Sequence, residues 1–354
     1  MRDKVGSRWL KRQGDRMHTN SYGLIFKVYF APTLTLFFLA LNVGCGHIFM
    51  PNALTTPEQY RFLGGALALP LISGLCVFFL PILTRKAQSS IIRSARLSAS
   101  SMRHARVYAH QVSQVPLLSA RLAFFAGSIL AITYLAWEGL LYSSSLGMLD
   151  NLRILPLTLQ AVYFWIALVL FLLSLVRITL LLTQFATRDL RIELFHVDEL
   201  VPLADSVLWN VLAVSAGVAM APIFWLGRPI PALDIILVMT VMLVIMYLLL
   251  FPILRVKRIV SAKKELALRR VSDALKSATR SEDETKRRLT DSSKRMEDIN
   301  NLVGVRRELK ETKEWPITLP VGTRLVLLVL TPLASMVGAA LVEQMVQEII
   351  FGWQ

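Results

Sequence analysis

Residues 255–314 read RVKRIVSAKKELALRRVSDALKSATRSEDETKRRLTDSSKRMEDINNLVGVRRELKETKE. This stretch decides how the rest of the chain is arranged, because it is the one sizeable part suited to water. It holds 18 Lys/Arg and 11 Asp/Glu, with no Pro and no aromatic residue. Lys, Glu, Arg, Leu and Ala favour helix, so the stretch predicts a helical arm. Ile259, Leu266 and Leu275, then Leu289, Met296, Ile299, Val303 and Leu309, recur at three-, four- and seven-residue steps or small multiples of them. That spacing draws a narrow apolar seam along one helix face. Arg280–Glu284 interrupts the seam, and Ser281 with Glu284 three residues later forms a capping-box pattern, which predicts a second helix starting there. The arm, residues 255–316, is expected to be an αα-hairpin or coiled coil. Trp315-Pro316 closes it, since Pro cannot continue a helix and restricts the residue before it.

The sequence around the arm is of another kind. Hydrophobic residues make up 55% of the chain, and its mean hydropathy is +0.54. A helix that crosses a bilayer needs about 20 mostly apolar residues. Seven stretches meet or approach that length: about 28–50, 62–83, 120–141, 156–182, 206–226, 232–254 and 319–341. In lipid the backbone must satisfy its own hydrogen bonds, which helices do. The short alternating segments of a membrane barrel are not seen. The expected fold class is an all-α, polytopic integral membrane protein of about seven transmembrane helices with a cytoplasmic helical insertion. Its parts are a basic N-terminal segment, 1–27; six spans within 28–254; the arm, 255–316; and a last span with a short tail, 317–354.

Charge sets the threading. Of the net +15, residues 1–27 carry +5, residues 84–121 carry +7 with no Asp or Glu, and the arm carries +7. The intervening loops 51–61, 142–155 and 227–231 hold one Arg each (Arg61, Arg153, Arg228) and no Lys. The basic connectors therefore predict a cytoplasmic N-terminus and an external C-terminus. Small outer loops and the lack of any Asn-x-Ser/Thr acceptor fit a bacterial plasma (inner) membrane. Trp137, Trp209, Trp225, Trp315 and Trp353 fall near predicted span ends, where amphipathic rings meet headgroups. Cys45 and Cys76 are expected at different depths, too far apart for a disulfide.

Several segments invite functional readings. Arg85, Arg93, Arg96, Arg103 and Arg106 cluster within 85–118, predicting a basic amphipathic helix at the cytoplasmic surface that holds anionic headgroups. No glycine-rich phosphate loop accompanies it. The loop 183–205 is net acidic, and Glu193, His196 and Glu199, with Asp198 beside them, lie at helical spacing; a lone Glu-x-x-His is half of a di-iron pattern and a weak metal signal. The bland reading pairs this loop with the basic arm. Within the predicted spans the notable polar residues are Gln160, Arg177, Asn210 and Arg324, and no carboxylate lies at a midplane, which counts against proton-coupled transport. Ala213, Gly217 and Ala221, and later Ala334 and Gly338, form small-residue stripes suited to close helix packing.

Phe79-Leu80-Pro81-Ile82-Leu83-Thr84-Arg85-Lys86 resembles Leu250-Phe251-Pro252-Ile253-Leu254-Arg255-Val256-Lys257, each followed by a basic helical stretch and another span. Spans one to three and five to seven would then be parallel repeats joined by span four, an arrangement that transporters use. No catalytic motif and no cofactor signature is present, and specific nucleic-acid binding is not expected. The sequence is compatible with an oligomeric membrane sensor or channel-like effector, a transporter or flippase-like carrier, a membrane enzyme built on the acidic loop, or a scaffold without activity of its own. Anionic membrane lipid and a second copy of the chain, or a membrane-complex partner, are the partners it implies.

Overall fold

A computed structural model describes residues 30–48, 57–98, 100–137, 148–189, 201–225, 232–284 and 289–311, with single helical positions between 323 and 338. Among the described residues every element is helical and there is no strand. The first helix, α1, is Phe30–Gly44. It is followed by α2 (Pro57–Leu97), α3 (Met102–Ser113), α4 (Leu117–Trp137) and α5 (Met148–Gln184), which ends in a π-turn, Phe185–Asp189. Then come α6 (Val201–Ala219), a 3₁₀ turn (Ala221–Trp225), α7 (Ala232–Glu284) and α8 (Leu289–Glu311).

Among the described residues, five helical segments are long and apolar enough to cross a membrane: Leu63–Leu97, Met102–Ala136, Ile154–Arg188, Val201–Trp225 and Val238–Ser277. They account for five of the seven expected spans, and the protein is a membrane protein by that measure. The described part of the first expected span, Phe30–Gly44, is shorter. It stops where the sequence reading placed Gly44 and Gly46 inside a span. Gly46 has φ +81°, and the bonds His47 N–H to Asn42 C=O (2.9 Å) and Gly46 N–H to Val43 C=O (3.0 Å) are those of a Schellman cap. Glycine takes this left-handed position without a Cβ penalty. The last expected span lies mostly outside the described residues.

Two basic segments differ from expectation in the same way. The 85–118 stretch is not one surface helix. No Pro or Gly stands between Ile82 and Leu97, so α2 continues straight past Arg85, Arg93 and Arg96. It ends where Ser98 turns its hydroxyl onto the Ser94 carbonyl (2.8 Å) and the Ser100 hydroxyl (2.7 Å), offering the backbone an alternative to the helix. The short α3 then folds back along α2, burying Ala105, Ala109 and Val112, and Gln88 Nε2 donates to the Ala109 carbonyl at 3.0 Å. In the arm, the Ser281–Glu284 capping box starts no helix. α7 runs through it to Glu284, and α8 begins at Leu289. A cap contributes only about 1 kcal/mol, and nothing in this helix-favouring sequence stops propagation.

The arm is nonetheless a hairpin. α8 packs against α7, and Lys264 Nζ donates to the Lys310 carbonyl at 3.1 Å, at matched distances either side of the 285–288 connection. The side buried there coincides with the predicted seam only in part, at Leu309 and Ile299. Val256, Val260 and Lys264 are buried on α7 and Leu309 on α8, with Ile299, Leu302 and Arg306 half-buried, while Leu266, Met296 and Val303 are exposed.

Within the membrane part, α2 and α5 are central. α2 packs on α3, α5 and α6, whereas α5 packs on α4 and α7. Buried residues from α2 to α7 form one apolar cluster that includes Leu69, Leu83, Leu157, Leu175, Val211 and Met242. The tightest crossings are at glycines outside the predicted stripes. A Cβ on Gly127 of α4 would stand 2.6 Å from Ile166 Cα and 2.9 Å from Ile166 N, and one on Gly64 of α2 would meet the Phe224 carbonyl oxygen at 2.6 Å. Gly217, by contrast, has only Leu75 Cδ2 at 4.0 Å. Ala213 is buried within the chain, and Gly217 and Ala221 are half-buried, so the α6 stripe packs internally. In the last stripe Ala334 is exposed and Gly338 half-buried.

These contacts order the glycines. Gly127→Ala is expected to lose about 1–3 kcal/mol through forced separation of α4 and α5, whereas Gly217→Ala is close to neutral. Thermal unfolding of the two variants in one detergent checks the order; equal melting temperatures would contradict this account of the α4–α5 crossing.

Candidate functional site

The polar residues inside the helical bundle define the candidate site. They occupy two levels. At the end of the bundle away from the basic hairpins, Asn42 of α1 and Gln160 of α5 form a reciprocal amide pair. Asn42 Nδ2 donates to Gln160 Oε1 at 2.9 Å, and Gln160 Nε2 donates to Asn42 Oδ1 at 2.9 Å. Asn42 Nδ2 also donates to the Ala66 carbonyl of α2 at 2.7 Å. Both side chains are buried, so three helices are held by bonds that no solvent reaches. Gln160, expected as a lone intramembrane polar group, is thus occupied in packing. Asn42 was not singled out as an intramembrane group; an Asn in the apolar 28–50 run was the available signal.

The second level lies nearer the basic hairpins. The Lys86 ammonium sits 4.7 Å above the centroid of the Trp209 ring, which fixes α2 against α6. One residue further along α6, Asn210 is 1% exposed, and among the described residues neither its carboxamide nitrogen nor its oxygen has a partner. Ser206, one turn earlier on the same face, keeps an equally unpartnered hydroxyl, as does Thr179 of α5. α2 and α5 run in the same direction from the Ala66–Asn42–Gln160 contact, so Thr179 and Lys86 lie at similar depth along them. A buried polar group without a partner costs about 1–3 kcal/mol. Five residues further along α6, Ser215 Oγ donates to the Leu328 carbonyl at 2.7 Å, which ties α6 to the last helical segment.

Arg177 is far from the Asn42–Gln160 level and is engaged elsewhere. Its guanidinium donates to the Gln114 carbonyl, the residue that caps the C-terminus of α3. A cation at a helix C-terminus completes its free carbonyls and opposes the negative end of its dipole. Gln160 and Arg177 stand 17 residues apart on α5, about 25 Å at 1.5 Å per residue. Gln160, Arg177 and Asn210 therefore do not converge on one cavity. Arg324 lies outside the described residues.

On the basic side, Arg85, Arg93, Arg96, Arg103 and Arg106 are all exposed. They line both limbs of the α2–α3 hairpin, and the sequence from 59 to 137 offers no carboxylate to neutralise them. Glu193, His196, Asp198 and Glu199 lie outside the described residues, and among the described residues no three His, Cys, Asp or Glu side chains are grouped as metal ligands. Cys45 and Cys76 are both free thiols. Comparison with protein-family models, with curated proteins and with solved structures gives no match. The chemistry of these residues is that of hydrogen-bonded helix packing and of cationic surface, and it contains no nucleophile paired with a base.

The amide pair yields a thermodynamic signature. Asn42→Leu strands the Gln160 carboxamide and the Ala66 carbonyl, and is expected to cost about 1–3 kcal/mol. Asn42→Leu with Gln160→Leu should cost less than the sum of the single changes, leaving a coupling of about 0.6–1.7 kcal/mol. A double-mutant cycle of detergent unfolding measures it, and strict additivity would show that the pair contributes nothing.

Proposed function

We propose that this protein is an oligomeric sensor or channel-like effector of the bacterial plasma (inner) membrane. It spans the membrane seven times, with the N-terminus cytoplasmic and the C-terminus outside. Its cytoplasmic arm couples the spans to a second copy or to a partner. The observation that carries this reading is α7, a single helix of 53 residues. It is about 80 Å long at 1.5 Å per residue. Its apolar first part belongs to the bundle core through Met242, Met246 and Leu249, and its charged second part is the arm. No break separates the two. Torque or displacement applied to the arm is then delivered to the bundle through one rigid element, as a lever requires.

The surface of the arm supports association. Leu266, Met296 and Val303 are 56, 63 and 48% exposed, large apolar side chains that the hairpin itself leaves open. In water such side chains are most stable against matching ones. The ion pairs on the arm, Arg269–Glu265 and Arg307–Glu311, are exposed i,i+4 contacts that favour helix without covering them. The five arginines of the α2–α3 hairpin suit anionic headgroups on the same side of the membrane, each near-surface cation contributing about 1 kcal/mol.

A carrier with parallel repeats is the second reading. It is favoured by the order of elements after Pro81 and after Pro252. In each case a helix continues past its apolar part, a second helix folds back along it, and the chain returns toward the membrane. The separation of Gln160, Arg177 and Asn210 weighs against it, since a carrier needs polar groups gathered at one substrate site.

The mass of the detergent-solubilised particle decides between them. For the effector, the wild type is expected at a multiple of the 39.8 kDa chain mass. Leu266→Glu with Met296→Glu and Val303→Glu is expected to reduce it to a single chain. A monomeric wild-type particle would contradict the proposal.

A further inference from the structure

α4 is the span most exposed to its surroundings. Leu117, Leu118, Leu122, Phe124, Phe125, Ile129 and Ile132 are each at least half exposed, and only 17% of its apolar window is buried. Its 21 residues make about 30 Å of helix, the thickness of a bilayer's hydrocarbon core. Centred in a bilayer, the helix would place Leu117 and Trp137 near the two edges of that core. Arg121 lies four residues after Leu117, about 6 Å along the helix and so near the basic-side edge. It is exposed and, among the described residues, has no bonded or ion-paired partner. Beside it, an open, shallow recess of about 550 Å³ lies along the helix face formed by Ala120, Arg121, Phe124 and Phe125.

We infer that this recess is a binding site for one anionic phospholipid from the basic-side leaflet. Its phosphate pairs with the Arg121 guanidinium, and an acyl chain lies over the Phe124 and Phe125 rings. Charge selects the occupant. A guanidinium in lipid requires a counter-anion or a route to water, and the chain supplies no carboxylate between residues 59 and 137. Arg177, the other cation of this region, already donates to the Gln114 carbonyl. A planar guanidinium binds phosphate through two parallel hydrogen bonds, so Arg suits this role better than a point charge. The exposed rings give the acyl chain a flat apolar bed directly beneath the headgroup. This site is distinct from the arginines of the α2–α3 hairpin, which lie beyond the membrane boundary and face headgroups only electrostatically.

Native mass spectrometry of the full-length protein, incubated with phosphatidylglycerol or phosphatidylcholine, tests the inference. The wild type is expected to retain one phosphatidylglycerol per chain, at least tenfold more strongly than phosphatidylcholine. Arg121→Leu should abolish that preference, and Arg121→Lys should keep part of it. Arg103→Gln with Arg106→Gln should leave the tightly held lipid in place. Phe124→Ala with Phe125→Ala, which leaves every charge intact, should lower retention at least threefold. Free glycerol phosphate should compete poorly, since it lacks the acyl chain. Full preference in Arg121→Leu, unchanged retention in the Phe variant, or loss confined to the Arg103/Arg106 variant would each overturn the site. These readouts are independent of particle mass, so the lipid site and the oligomeric effector stand or fall separately.

Discussion

Peptide groups in hydrocarbon have no water to bond, and this constraint governs every element of the bundle. It forces each apolar stretch to close its own hydrogen bonds as helix. It also leaves side-chain polarity scarce, so that each buried amide or hydroxyl becomes a point of specificity between helices. The Asn42–Gln160 pair is the fullest expression of this in the chain. It joins residues 118 positions apart and engages the Ala66 carbonyl as well, so that α1, α2 and α5 share one hydrogen-bonded node. Apolar surfaces sliding in lipid would select no particular register. The node does, and the Gly127–Ile166 and Gly64–Phe224 crossings then determine how near neighbouring helices come.

Past the membrane boundary the constraint is lifted, yet α2 and α7 do not stop there. Both carry on as helix into a charged region, and in each a following helix folds back along the extension. Because a helix is stiff, extensions of this kind make the water-exposed hairpins mechanical continuations of the spans. The α3 hairpin is further tied to the bundle by Arg177 on the Gln114 carbonyl and by the Tyr108 and Phe185 rings, 5.7 Å apart. The unpartnered Asn210, Ser206 and Thr179 lie in the interior near the level where these extensions leave the bundle. Buried polarity without partners among the described residues is a costly way to build a bundle interior.

The parts of this architecture legible in the sequence were those set by composition. Long apolar runs mark helices, and the helical character of the arm follows from charge and propensity. What composition could not locate were the specific contacts. Gln160 was visible as a polar residue in an apolar run, but its partner Asn42 is far away in sequence, and only the packing of three helices brings them together. The small-xxx-small rule pointed to Gly217, where the neighbour stands off, whereas Gly127, flanked four residues either side by the buried Ala123 and Ala131, carries the close crossing. The seam was only partly the packed surface: Leu309 is buried and Ile299 half-buried between the helices, but Leu266, Met296 and Val303 stay exposed and the α7 side closes through Val256, Val260 and Lys264. The Ser281–Glu284 box failed because a local cap signal competes with helix propagation on both sides.

The central claim is that both basic hairpins lie on one side of a bilayer, the side where the chain is made. Single cysteines placed by Ser101→Cys, Ser144→Cys and Ser281→Cys, in a background lacking Cys45 and Cys76, test it with a membrane-impermeant maleimide on intact cells. The account predicts labelling at position 144 alone, with positions 101 and 281 reacting only after the membrane is opened. Labelling of 101 or 281 in intact cells, or of those two from opposite sides, would contradict it.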